Sequence, residues 1–249
     1  MIHKSRGEIA AVSFRLPWQS GLIQFILGCA IAGGVLYGIA AVLQHLGAYA
    51  PADHPPTLGR ILKKVLVPAL AASVLEEWLF RGVLLGLWLK FTKPLTACIG
   101  TSLIFAVVHF LQPSNGVAIA NPASTLAGFE LLAKILSRFT NPQVFLADFF
   151  TIFTIGMMLA LARFRTGALW FPIGLHAGWI IAFKGFGIFH QAVENNPLGS
   201  WGIGDSIRSG ISPLLILGIT AILCHFVLRR FDMSSSIYQP RITVMTKTF

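Results

Sequence analysis

The chain predicts an all-α protein, a polytopic bundle of about six transmembrane helices with one further helix lying on the membrane surface. Three observations lead there. Apolar residues fill 55% of the 249 positions and charged residues only 11%, under half of the roughly 25% that soluble domains carry. Long apolar stretches recur along the chain, most near the ~20 residues that a helix needs to cross ~30 Å of hydrocarbon. The net charge of +10 gathers where those stretches end, as in the loops of membrane proteins. No basic reader helix or nucleic-acid motif accompanies that charge, so a nucleic-acid partner is not expected.

The first span is Gly21–Leu46. The preceding Phe14-Arg15-Leu16-Pro17-Trp18 offers no convincing small-residue cleavage site, so the span is expected to be retained and not removed as a signal peptide. Lys64–Leu89 and Leu95–Leu111 follow, the latter the shortest. Between Asn121 and Asn141, Leu126, Phe129, Leu132, Ala133, Leu136 and Phe139 recur at helical spacing opposite Glu130, Lys134 and Arg138. That pattern reads as an interfacial helix on the bilayer. Val144–Arg163, Ala168–Ile188 and Ile211–Leu228 complete the set. Glycine and proline interrupt several spans, which membrane helices tolerate.

No internal repeat divides the chain. It reads as a cytoplasmic segment 1–20, one membrane-embedded domain 21–230 and a cytoplasmic tail 231–249. With the N-terminus inside, eleven Lys and Arg lie at cytoplasmic loops against six outside. This favours both termini in the cytoplasm of a bacterial-type inner membrane, although Arg60, Lys63 and Lys64 oppose it. Cys29, Cys98 and Cys224 lie in three different apolar segments without metal-ligand spacing and read as packing residues.

The second span holds an anomaly. Glu76 and Glu77 are adjacent, and Arg81 follows one turn on. A carboxylate at bilayer depth is costly unless it faces a cavity or a partner. Adjacent residues point about 100° apart on a helix, whereas the four-residue spacing of Glu77 and Arg81 lets carboxylate and guanidinium meet. The simplest division makes Glu77 and Arg81 an internal brace and leaves Glu76 facing a cavity. That the three only tie helices together remains open from this segment alone.

Two histidines add weight. His109 lies in the third span and His176 in the fifth. Counted at 1.5 Å per residue from the cytoplasmic span ends, Glu76, His109 and His176 fall ~15–21 Å deep, one layer near mid-membrane. A carboxylate and two imidazoles there can bind or activate a water molecule. His3, His45, His54, His190 and His225 fall in tails, loops or span ends and receive no role.

Glu76-Glu77-x-x-x-Arg81, then Phe105-x-x-x-His109, then His176 preceded by Arg165-Thr-Gly-Ala-Leu-Trp-Phe-Pro-Ile resemble the CAAX protease and bacteriocin-processing enzyme (CPBP) family of intramembrane proteases. The resemblance covers about residues 64–185. It implies an endopeptidase acting on membrane-associated or prenylated-type protein substrates. Glu76, Glu77, Arg81, His109 and His176 would form the catalytic site. Glu76 and His109 would activate the water, and His176 would stabilise the scissile carbonyl as it becomes an oxyanion. Amide hydrolysis needs such a base and such a donor.

Glu76, His109 and His176 also match the ligand set of a catalytic zinc. No H-E-x-x-H motif is present, so zinc and a metal-free glutamate mechanism both stay open. One position departs from the family. Ile180 stands four residues after His176, where many members carry asparagine as a second oxyanion donor. On the same helix, Trp179 and Lys184 are the candidate replacements, with snorkelling to the outer surface the plainer role for the lysine. Two other functions follow from these features: a weakened family member that binds membrane peptides as a scaffold, and a proton-coupled transporter, for which paired broken helices would be expected.

Overall fold

The structure, a computed structural model, describes residues 17–111, 119–136, 142–199, 207 and 211–231. Helix α1 (Trp18–His45) follows Pro17. Helix α2 covers residues 58–91 and is not uniform. It is α-helical over Leu58–Ile61, Val67–Glu77 and Leu85–Phe91, and π-helical over Leu62–Leu66 and Trp78–Leu84. The Thr57 hydroxyl caps its start by accepting the Arg60 N–H at 3.3 Å, one of the orphan donors of a first turn. Helices α3 (Pro94–Phe110), α4 (Ala127–Leu136), α5 (Pro142–Thr166), α6 (Trp170–Phe189) and α7 (Ser212–Leu228) follow.

Among the described residues, three helices are long and apolar enough to cross a membrane: α1, α5 over Asp148–Thr166, and α6. Six spans were expected, and the difference has two causes. Two π-helical stretches divide α2 into short pieces. Helices α3 and α7 are apolar but have only 17 residues each, about 25 Å at 1.5 Å per residue. The molecule is an integral membrane protein, and it exposes large apolar side chains on its flanks, among them Leu75, Phe91 and Phe226.

The all-α expectation needs one amendment. Strand β1 (Tyr49–Pro51) pairs antiparallel with β2 (His190–Ala192), Tyr49 opposite Ala192. Three-residue strands are too short to show a period of two, so nothing in the sequence announced them. The ribbon joins the C-terminal ends of α1 and α6. Those helices share the most extensive contact in the molecule. A methyl group at Gly174 would lie 2.1 Å from the Phe25 carbonyl oxygen, and one at Gly178 2.6 Å from that of Cys29. Such backbone contact admits only glycine.

Helix α5 ends at Gly167, whose φ of +67° lies in the left-handed region that favours glycine. The Thr166 hydroxyl hydrogen-bonds the Ala162 and Ala168 carbonyls at 2.9 and 3.0 Å. Thr166, Ala168 and Leu169 are all buried. The Arg165-Thr-Gly-Ala-Leu-Trp motif is thus an internal turn that launches α6 from inside the protein.

The expected interfacial helix is helical over Ala127–Leu136. Leu126, Phe129, Leu132 and Ala133 are exposed along it. Arg138 and Phe139, the side chain of Leu136, and nearly all of segments 1–20 and 231–249 lie outside the described residues.

Candidate active site

Glu76 and Glu77 end the α-helical middle of α2, and the π-helical stretch carrying Arg81 begins at the next residue. Interruptions of this kind are frequent at functional sites. The two carboxylates diverge as adjacent helical residues must: the Glu77 side chain is 0% exposed and that of Glu76 27%.

Glu77 is the hub of a closed cluster. Its Oε1 accepts from Arg81 Nη1 at 2.9 Å and lies 3.0 Å from His176 Nδ1. Arg81 Nη2 donates to the Gly156 carbonyl of α5 at 3.1 Å. A carboxylate paired with a guanidinium only accepts hydrogen bonds, so His176 Nδ1 carries the hydrogen and Nε2 is turned the other way. Sequence reasoning sent Glu77 to Arg81 alone; its contact with His176 was not foreseen. Residues 77 and 176 are too distant in sequence for spacing to suggest it.

His109 is set by its own helix. Its Nδ1 lies 2.8 Å from the Phe105 carbonyl oxygen. That oxygen can only accept, so again Nδ1 carries the hydrogen and Nε2 is left to the site. His109 Nε2 stands 3.5 Å, and His176 Nε2 3.9 Å, from Glu76 Oε2. Glu76 Oε2 is buried and has no hydrogen-bond partner. Glu76, His109 and His176, drawn from α2, α3 and α6, therefore converge on one carboxylate oxygen, and Glu77 and Arg81 close the cluster behind them.

The two histidines reach the same carboxylate from different places in their helices. His109 lies near the end of α3, whereas His176 lies only two turns into α6. The buried turn before α6 packs against α2: a methyl group at Gly82 would lie 3.4 Å from Leu169 Cδ1.

In the sequence Phe105 stands out only as the first residue of Phe105-x-x-x-His109. It is 1% exposed, and its ring lies 4.2 Å from that of His109 and 6.2 Å from that of His176, centroid to centroid. The Arg81 guanidinium carbon stands 4.3 Å from its centroid. Gly156 gives no sign of its part in the sequence, since a small residue inside a span carries no chemical signal. Of the candidate donors near Ile180, Trp179 is buried in the core cluster shared with α1 and its Nε1 has no hydrogen-bond partner. Lys184 is exposed.

Among the described residues, no group of three or more His, Cys, Asp or Glu is placed to hold a metal ion. The zinc alternative gains no support from that result.

Carboxylates and imidazoles from three helices of a membrane protein thus meet at one largely buried point, a class of arrangement that fits a catalytic centre. The family model "Type II CAAX prenyl endopeptidase Rce1-like" matches residues 59–182, about half of the chain and all five residues of the cluster, and the chain belongs to this CAAX protease family. No curated protein and no solved structure matches it.

Proposed function

We propose that the protein is an intramembrane endopeptidase that hydrolyses peptide bonds of membrane-tethered protein substrates, prenylated ones among them. The observation that carries the reading is the convergence of His109 Nε2 and His176 Nε2 on Glu76 Oε2, in a chain of this family.

The chemistry follows from the geometry. Separations of 3.5 and 3.9 Å exceed an ordinary hydrogen bond and suit a water molecule shared between the groups. Glu76 and His109 take the proton of that water as it attacks the scissile carbonyl, and the protonated site returns it to the leaving amine. His176 serves the developing oxyanion. With Nδ1–H held by Glu77, its Nε2 faces the site and carries a hydrogen there only as the imidazolium. A donor fixed before the reaction need not reorganise during it.

In this reading α2, α3 and α7 also cross the bilayer, giving six spans with both termini cytoplasmic, and α4 lies at the surface. Ile180 motivates a second reading, a peptide-binding scaffold that cuts slowly or not at all, because isoleucine cannot donate to an oxyanion. Detergent-purified protein offered matched prenylated and unprenylated membrane-tethered peptides separates the two. Cleavage that Glu76→Gln abolishes, with melting temperature unchanged, supports the protease. Binding without cleavage supports the scaffold.

A further inference from the structure

We infer that Phe105 is a positioning residue whose ring holds Arg81 on Glu77 and so leaves Glu76 free for the attacking water. The inference rests on the catalytic reading above. Arg81 has two carboxylates to choose between, Glu77 four residues back and Glu76 five back on the same helix. The π-helical stretch Trp78–Leu84 widens the turn, and i, i+5 is the spacing that a π-helix brings into register. Helical geometry alone therefore does not decide the pairing.

The hydrogen bonds of Arg81 and its aromatic neighbours, Phe105 and, farther off at 5.8 Å, Phe80, decide it. Arg81 gives one hydrogen bond to Glu77 Oε1 and one to the Gly156 carbonyl, and its guanidinium carbon lies 4.3 Å from the Phe105 ring centroid. Hydrogen bonds fix its direction and the aromatic quadrupole attracts its charge. The same ring packs 4.2 Å from His109, while the Phe105 carbonyl oxygen fixes that imidazole's tautomer. One side chain thus stands between the cation and the pair that activates water. A guanidinium that slipped to Glu76 would occupy Oε2 and remove the base, while leaving the substrate-binding surface intact.

The test keeps the ring's shape and changes its charge distribution. Phe105 is replaced in the full-length protein by 4-fluoro-, 3,5-difluoro- and 3,4,5-trifluorophenylalanine, and cleavage of a membrane-tethered peptide is followed. Each fluorine weakens attraction to a cation at nearly constant volume. The expected result is a stepwise fall in kcat reaching at least about tenfold, with KM changing by less than about twofold, the pattern of a defect confined to the chemical step. A role in packing alone leaves kcat flat across the series, and a flat series overturns the inference. If no variant, nor the parent, cleaves any peptide, the protease reading fails and a second measurement decides this one. Side-chain ¹⁵N shifts of His109 and His176 should move progressively with fluorination as Arg81 leaves Glu77; shifts that stay fixed overturn it.

Discussion

Two glutamate–cation pairs in this chain share one spacing and differ in almost everything else. Glu77–Arg81 and Glu130–Lys134 are both i, i+4, at 2.9 and 2.6 Å. The first is 0% and 1% exposed, the second 32% and 40%. Exposed pairs gain little, because water and salt screen them and two flexible side chains must be ordered. A buried pair is different in kind. Its formation adds little net stability once desolvation is counted, yet removing one partner strands a charge where nothing can solvate it. Distance is therefore a poor guide to importance here. Burial and the number of further partners decide it, and Glu77 holds both Arg81 and His176.

The largest expected effect comes from breaking the buried pair. Glu77→Gln leaves Arg81 buried without a counter-charge and frees His176 Nδ1, and should cost roughly 3–5 kcal/mol of stability. Thermal melting in detergent measures it. Glu76→Gln should leave the melting temperature near that of the parent, because Glu76 is partly exposed and braces nothing. Equal destabilisation by the two substitutions would show that the adjacent carboxylates do not divide their work in this way.

Some of this was legible beforehand. The four-residue spacing announced the Glu77–Arg81 contact, because the helical period alone brings those side chains together. Apolar length and charge placement announced helices in order, with ends close to those found. Three kinds of feature were illegible. The π-helical stretches in α2 leave no mark in an apolar sequence, although they shape the wall that carries both glutamates. The ribbon between Tyr49–Pro51 and His190–Ala192 is too short for a pattern. The link from Glu77 to His176 joins helices by packing, and no local rule reports it. The burial of the turn at Gly167, beside the expected span start at Ala168, was likewise not visible in the sequence.

A smaller effect should come from the far side of the buried pair. The Gly156 carbonyl receives Arg81 Nη2, and a methyl group at position 156 would lie 3.1 Å from Ser102 Cβ and 3.2 Å from Ser102 Cα. Gly156→Ala should therefore push α5 from α3 and cost about 1–3 kcal/mol, the usual range for overpacking. Ser102→Gly in the same protein should return part of that loss by vacating the Cβ position. Melting curves of the two single variants and the double variant test this. Strict additivity would mean that the strain is not at this contact and that the acceptor of Arg81 is unaffected by it.

The smallest effect belongs to the surface pair, and a titration reads it better than melting. The Glu130 carboxyl is held below the usual glutamate range, first by its hydrogen bond from Lys134, then by the Ala120 N–H and the lysine charge. Because the folded value is depressed, the pair's contribution is present above the ordinary glutamate range and is lost as pH falls through the depressed one. Lys134→Met removes the larger cause and keeps the Ala120 contact, 3.1 Å in length. Glu130 should then titrate closer to an ordinary glutamate when followed by carboxyl NMR, with no resolvable change in melting temperature. Added salt should reproduce part of the shift in the parent protein, since an exposed pair is screened within about 10 Å at 0.1 M. The same salt should leave Glu77–Arg81 untouched. A melting loss on Lys134→Met comparable to that of Glu77→Gln would mean that α4 is far more tightly built into the bundle than its exposed face indicates, and the contrast between the two pairs would collapse.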